Sequence, residues 1–337
     1  MRYTLNFRRC ILGLCLSLLG LSVLVFFGNF ISDVESDENQ HKEMYQAFKD
    51  GKCKSCHPAI WREWEKSIHA QAWVDEIYQE AAKQVAGREK SCDPCHAPKP
   101  ILVTGIGKMP KLRNVQRDSG VSCLVCHLDS DGAMQGPPAS AETNFHANVT
   151  NPIYKESTKL CATCHGQPSV PEHDQVSSFL KSKFATENKS CATCHMPLVS
   201  RLQSTASYES ITGRKHTWRG SRSVTQLKNA AALKIEFADK KATVTLQNKA
   251  GHLLPGGTLR IIVLDVMHLA PNGTQNQKKQ VLISEKRRNR LKPDEKRTFD
   301  FKVNSGDTLK VRLRYQLTPK TSEPEWILMA EESKIAP

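Results

Sequence analysis

A short motif that recurs five times constrains this chain more than any other feature of its sequence. Ten of the twelve cysteines fall into units in which two cysteines, separated by two residues, are followed directly by a histidine. In chain order, the first to fifth units are Cys53-Cys56-His57, Cys92-Cys95-His96, Cys123-Cys126-His127, Cys161-Cys164-His165 and Cys191-Cys194-His195. Successive units begin 30 to 39 residues apart, which is too close for each to have a hydrophobic domain of its own.

The spacing within each unit matches one kind of chemistry. Two thiols three residues apart can each add to a vinyl group of one haem, and the imidazole that follows can bind its iron. Zinc sites and disulfide frameworks also use paired cysteines, but neither needs a histidine after every second cysteine. The sequence therefore predicts five covalent c-type haems, each held by the two cysteines of a unit, with His57, His96, His127, His165 and His195 as proximal iron ligands.

The chain around these units needs little regular structure, because closely spaced haems supply much of the core. We expect a mostly irregular domain with short helices, for example over residues 60–72 and 74–84, and loops such as 129–140, which is rich in glycine and proline. Short spacing also predicts irons close enough to conduct electrons.

Seven histidines remain to supply the second axial ligands. We predict ligation by His69, His146, His173, His216 and His252, and structural roles for His41 and His268. Each of the five could instead be an ordinary packing residue, and Met109 or Met196 could replace one histidine. Five such ligands would make every haem bis-histidine, which favours electron transfer because no iron position stays open.

From about residue 221 the cysteines stop and apolar and polar residues alternate. Seven strands are predicted, over residues 233–237, 243–246, 259–266, 281–284, 297–303, 309–317 and 326–329, which is typical of an antiparallel β-sandwich-like domain. We find no catalytic constellation there. The domain is expected to cover or ligate the last haem or to bind another protein, and the basic cluster 287–290 is either a docking site or a solvated hairpin end.

The first 32 residues predict a membrane anchor. Three arginines precede an apolar run over residues 10–31, longer than the roughly 20 residues that span a bilayer. No small-residue cleavage site follows, so an uncleaved transmembrane helix is favoured over a cleaved signal peptide. Arginines before the run and acidic residues after it place the bulk outside the cytoplasm. We expect a single-pass protein of the bacterial inner membrane facing the periplasm, the alternative being a soluble periplasmic protein.

The chain thus divides into an anchor (1–32), a pentahaem cytochrome domain (33–220) and a β-domain (221–337). Its formal net charge is +14. A basic surface can attract an acidic redox protein, whereas no basic-aromatic motif indicates nucleic acid.

Two stretches resemble multihaem cytochromes of the cytochrome c554 family, relatives of hydroxylamine oxidoreductase. The first unit with Pro58, Trp61, Trp64, Ser67, His69 and Ala70 resembles the family's opening, and the fifth unit with Met196, Pro197 and residues 216–220 resembles its final haem motif and distal histidine. Residues 251–257 and Arg260 are similar to an appended C-terminal β-domain. The resemblance covers most of residues 45–320 and implies a periplasmic electron carrier in which His69 and His216 are distal ligands.

The chain also departs from that family, because the namesake has four haems and this sequence has five units. It has no Cys-x-x-Cys-Lys unit, which argues against ammonia-forming nitrite reduction. An electron relay is the favoured function. The alternatives are an oxidoreductase that acts on a small nitrogen or sulfur compound at a five-coordinate haem, and a quinol dehydrogenase.

Overall fold

The structure is a computed structural model that describes residues 41–137, 145–168 and 175–337. Within these ranges no helix is both long and apolar enough to cross a bilayer. The predicted anchor at 1–32 and the predicted ligand His173 lie outside the described residues.

Short helices dominate the part of the chain that carries the five units. They are α1 Lys42–Lys49, α2 Lys52–Cys56, α3 Pro58–Trp64, α4 Glu76–Ala82, α5 Arg88–Ser91, α6 Asp93–His96, α7 Ile101–Thr104, α8 Cys123–His127, α9 Ser157–His165, α10 Val176–Leu180, α11 Lys183–Thr186 and α12 Cys191–His195. Short 3₁₀ helices lie at Arg117–Ser119 and Pro152–Lys155, and two-stranded pairings join β1 Met134–Gly136 to β2 Asn148–Thr150 and β3 Leu198–Arg201 to β4 Ile211–Arg214.

Every unit lies at the end of a helix: the first unit ends its helix with the second cysteine, and the other four end theirs with the histidine. A single helical turn brings residues i, i+3 and i+4 to one face, which places both cysteines and the histidine of a unit side by side. The local fold therefore presents each unit as one compact donor set.

The helix predicted over residues 60–72 was too long. Helix α3 ends at Trp64, and residues 65–74 form successive turns. In these turns the Ser67 hydroxyl accepts a hydrogen bond from the Ala70 N–H at 3.2 Å, and the carbonyl of His69 accepts one from Val121 N–H at 2.8 Å. Hydrogen bonds to the Ser67 side chain and to Val121 thus replace the backbone hydrogen bonds that a continuing helix would form, and they fix the backbone at His69.

A buried arginine organises the loop after the second unit. Arg113 is fully buried, and its guanidinium donates to the carbonyls of Pro98, Val115, Gln116 and Gly120 at 2.8 to 3.1 Å. The dipoles of these carbonyls stabilise the buried positive charge of the guanidinium, and the bonds hold the loop against the turn that contains His69.

Two antiparallel sheets follow helix α13 Val224–Ala230, as the alternating pattern predicted. One has strand order β5-β6-β9 and the other β11-β10-β7-β8, built from β5 Ala231–Ala238, β6 Lys241–Asn248, β7 Ile261–Leu269, β8 Gln275–Ser284, β9 Lys296–Lys302, β10 Thr308–Gln316 and β11 Ile327–Ile335. Inward residues of both sheets form one apolar core that includes Ile235, Leu246, Leu264 and Leu313.

The loop between β6 and β7 lies against helices α10 and α11. The N–H of Leu253 donates to the Ser178 hydroxyl at 3.2 Å, and Gly251 sits where an added Cβ would be 3.0 Å from Phe179. Lys183 and Asp294 add an ion pair of 2.7 Å between the two parts. These contacts bring His252 of the sheet region to the fifth unit.

Candidate haem-binding centres

Four of the five unit histidines each face a second histidine across a gap of constant width. The ring centres are 6.3 Å apart for His57 and His146, for His69 and His165, and for His127 and His216, and 6.2 Å apart for His195 and His252. An imidazole nitrogen binds a metal at about 2 Å, so two imidazoles on opposite sides of one metal have ring centres roughly 6 Å apart. Each gap therefore has the width for one metal ion.

The unit histidines are held in one tautomer by the backbone. The Nδ1 atoms of His57, His96 and His127 lie 2.7, 2.6 and 2.6 Å from the carbonyl oxygens of Gln203, Ala72 and Gln135. Nδ1 of His195 is likewise bonded to a backbone carbonyl, that of Arg219.

A carbonyl can only accept a hydrogen bond, so Nδ1 carries the proton in each of these rings. The lone pair of Nε2 is then free for a metal, which is the usual outer-sphere arrangement of a metal-bound histidine.

The histidines opposite the unit histidines are partly buried, and burial disfavours the charged form of three of them, His69, His216 and His252. Burial, with the charge of His165 as a further cause, lowers the pKa of His69 to about 3. Burial also lowers the pKa of His216 to about 3, helped by His127, and it lowers the pKa of His252. Since only a neutral imidazole can donate its lone pair to a metal, these rings are in the ligating form at physiological pH.

The second unit has a different environment. The ring of Tyr78 stacks on His96 with 3.5 Å between centres and 9° between planes, and its hydroxyl donates to Asp93 inside the unit. Arg88 binds the same carboxylate at 2.8 Å and lies over the Trp73 ring. The predicted partner His173 is not among the described residues, so its ligation stays a prediction.

Cysteines of different units lie close together. Cys95 and Cys164 are near enough to hydrogen bond, as are Cys161 and Cys191. Cys53 lies within electrostatic range of Cys123, and Cys126 within range of Cys161 and Cys164. In a haem-loaded chain these sulfurs are thioethers that do not titrate, so their positions matter here and their thiol pKa values do not.

Comparison with known protein families identifies the class of protein in which such units occur. Residues 52–128, which include the first three units, match the family described as cytochrome c554 and c-prime. The chain is a multihaem c-type cytochrome, and its residues 52–128 match the cytochrome c554 family. The resemblance stated from the sequence is confirmed over these residues.

A solved structure shares the fold of this cytochrome. The crystal structure of a penta-haem cytochrome c552 from Thermochromatium tepidum matches with a TM-score of 0.62 at 18% identity, over 84% of this chain and 97% of that one. A β-glucuronidase 2 from Bacteroides uniformis matches 31% of this chain and 12% of its own at 15% identity, and its TM-score of 0.17 supports no argument. No curated protein matches the sequence of the cytochrome.

The residues present fit haem c. The paired cysteines of each unit would attach a haem covalently, and each opposed pair of imidazoles has the separation at which two nitrogens would bind one iron. In the described ranges no three His, Cys, Asp or Glu side chains converge on a metal position.

Two residues near the centres were not predicted. The indole of Trp218 lies between two of the opposite histidines, 4.5 Å from His69 and 5.3 Å from His216, in a left-handed backbone with φ of 38°. Gly120 has φ of 55°, and a Cβ there would lie 2.5 Å from the carbonyl oxygen of His69. Sequence spacing carries no signal for either contact; only the folded backbone brings them to His69.

Two described histidines, His41 and His268, belong to none of the four pairs. His268 lies in β7 and is bonded to Asp307 at 2.7 Å, which agrees with the structural role expected for it. His41 is buried just before α1.

Proposed function

We propose that this cytochrome carries five c-type haems, each bound by two histidines, and relays electrons between redox proteins. The observation that carries the proposal is the set of four histidine pairs with ring centres 6.2 to 6.3 Å apart. An iron with both axial positions filled by imidazole offers no place for a substrate, so such centres exchange electrons only.

For the second unit, whose histidine is His96, the proposed second ligand is His173, on the grounds of the sequence alone. Five units and the fold shared with a penta-haem cytochrome support the count of five. His96 is oriented as the other unit histidines are, with Nδ1 on a backbone carbonyl. His268 is engaged by Asp307, and the sequence favours a structural role for His41, so His173, which follows the fourth unit closely, is the candidate that we propose.

When bound, each haem supplies an iron that alternates between ferric and ferrous states. The chain's own residues hold and tune these groups: cysteines fix them covalently, and backbone carbonyls on Nδ1 raise the basicity of the unit histidines. The positions of the thiols support an order in which the first unit adjoins the third, the third adjoins the fourth, and the second and fifth both adjoin the fourth.

The location proposed for this relay is the periplasmic face of the inner membrane. The apolar run at 10–31, flanked by arginines and then acidic residues, supports an uncleaved single-pass anchor. Covalent haem attachment supports a periplasmic location. The excess of basic residues supports an acidic redox protein as the partner.

Low-temperature EPR of the oxidised holoprotein, with haem quantitation, tests the proposal. We expect five low-spin ferric haems per chain in the wild type. His173→Ala should turn one of them high-spin, whereas His268→Ala should leave all five low-spin. A high-spin haem in the wild type that shifts on adding nitrite, hydroxylamine or sulfite would overturn the relay in favour of an oxidoreductase, and fewer than five haems would overturn the count.

A further inference from the structure

A surface cleft of about 390 Å³ lies beside the first unit. It is lined by Ala59, Arg62, Glu63, Lys66, Lys215 and Thr217. The first four come from α3 and the turn after it, and the last two flank His216. The cleft is therefore built from the segments that carry a unit histidine and an opposite histidine.

The cleft is strongly basic. Arg62, Lys66 and Lys215 form no ion pair with any described residue, and the first two are exposed. The one carboxylate, Glu63, is already bound by Arg201 at 3.1 Å, with both side chains only about a tenth exposed (11% and 10%). Arg201 neutralises the charge of Glu63, so the positive charges of Arg62, Lys66 and Lys215 at the cleft are not compensated.

Two redox centres lie directly under this surface. Ala59 is three residues from Cys56, one of two exposed cysteines among the five units, the other being Cys194. The Glu63 carboxylate accepts a hydrogen bond from the backbone N–H of His216 at 2.8 Å. The floor of the cleft thus contacts His216, which faces His127 of the third unit, and the edge of the cleft adjoins the first unit.

We propose that this cleft docks the acidic face of a soluble redox protein. The inference rests on the relay function and names the surface where the relay meets its partner. A concave site with three uncompensated cations fits carboxylates that project from a protein, and such complementarity raises the rate of encounter. In the exchange one electron leaves the partner's centre and one ferric iron held by this chain becomes ferrous, with no bond formed or broken.

The exposed cysteines support this position. The first and fifth units, which hold Cys56 and Cys194, lie at opposite ends of the order given by the thiols. Only the first of these ends adjoins the basic cleft. Electron exchange with an acidic protein is therefore expected at the first unit.

The test uses the full holoprotein and a reduced acidic flavodoxin as probe. The triple variant Arg62→Glu, Lys66→Glu, Lys215→Glu should lower the second-order reduction rate about tenfold or more at low ionic strength. It should also flatten the dependence of that rate on salt and weaken flavodoxin binding in isothermal titration calorimetry. The control Lys286→Glu, Arg287→Glu, Arg288→Glu makes the same charge change at an exposed turn of the sheet region and should alter the rate less than about twofold.

The proposal fails if both triples slow the reaction equally, or if neither does. It also fails if the cleft variant loses only binding to phosphatidylglycerol vesicles, since the cleft would then contact a membrane. EPR on both variants separates these results from a failure of the relay: five low-spin haems in each leave the relay intact whatever the docking result.

Discussion

The two parts of this chain hold their folds in different ways. The sheets share one apolar core of twenty buried residues, whereas the principal apolar cluster described around the haem units has six. In the sheets, the burial of apolar side chains offsets the conformational entropy that the chain loses on folding. The region of the units cannot, because its helices of four to nine residues are too short to be stable alone. Covalent cofactors must replace the missing core.

Removal of the haems is the most severe test of this difference. In a chain produced without haem attachment, we expect residues 42–220 to lose almost all amide protection and the sheets to keep most of theirs. Hydrogen exchange followed by mass spectrometry, compared with the holoprotein, measures both. Equal protection across the two parts of the apoprotein would contradict the comparison.

A cavity in the sheet core should destabilise the protein without changing the spectra of its haems. Leu264 is fully buried in β7, and Leu264→Ala should cost about 2–5 kcal/mol of unfolding free energy. EPR and visible spectra of the haems should match the wild type, since no ligand lies in that core. A change in the low-spin signals would mean that the two parts are not independent.

Gly120 provides the corresponding test in the region of the units. Gly120→Ala combines a positive φ with a clash against the His69 carbonyl, and should cost about 3 kcal/mol and perturb one low-spin EPR signal. Gly132→Ala is the matched control, because Gly132 has φ of 80° with open space around its Cβ position and should cost only about 1 kcal/mol. Similar losses for the two variants would remove the steric argument.

The smallest effect is expected at the His268 and Asp307 pair. A backbone N–H from Asn304 and the ring of His268 hold the pKa of Asp307 below its usual value. This lowered pKa contributes stability above the unfolded value of about 3.9, and the contribution is lost as the pH falls through the folded pKa. Asp307→Asn should therefore lower Tm at pH 7, with a difference from wild type that shrinks below about pH 4. A constant difference between pH 7 and pH 3 would show that the carboxylate charge is not involved.

Local patterns predicted most of the sheet region and all five units. The strands predicted over residues 233–237 and 243–246 leave a short turn between them, and Asp239 and Lys240 in this turn have the positive φ values of a tight hairpin. The first half of β8 was missed because residues 275–280 are exposed and polar at an edge of the sheet, so they carry no alternation.

Contacts between distant segments could not be predicted in the same way. The histidines were proposed as ligands from their number and position, but their pairing depends on how the loops fold. His57, for example, faces His146 rather than the nearer His69. The early end of α3 at Trp64 likewise depends on Val121, more than fifty residues away, whose carbonyl accepts the Trp64 indole N–H at 2.9 Å.

The crowding of cysteines around the fourth unit has a consequence for how damage would spread. When units whose described cysteines lie near one another are treated as connected, the fourth unit is a junction with three neighbours in this network, whereas the first, second and fifth units are ends. The loss of an end shortens the network but leaves the rest connected. The loss of Cys161 and Cys164 would instead divide it into separate fragments, so tolerance to mutation should be lowest where connectivity is highest.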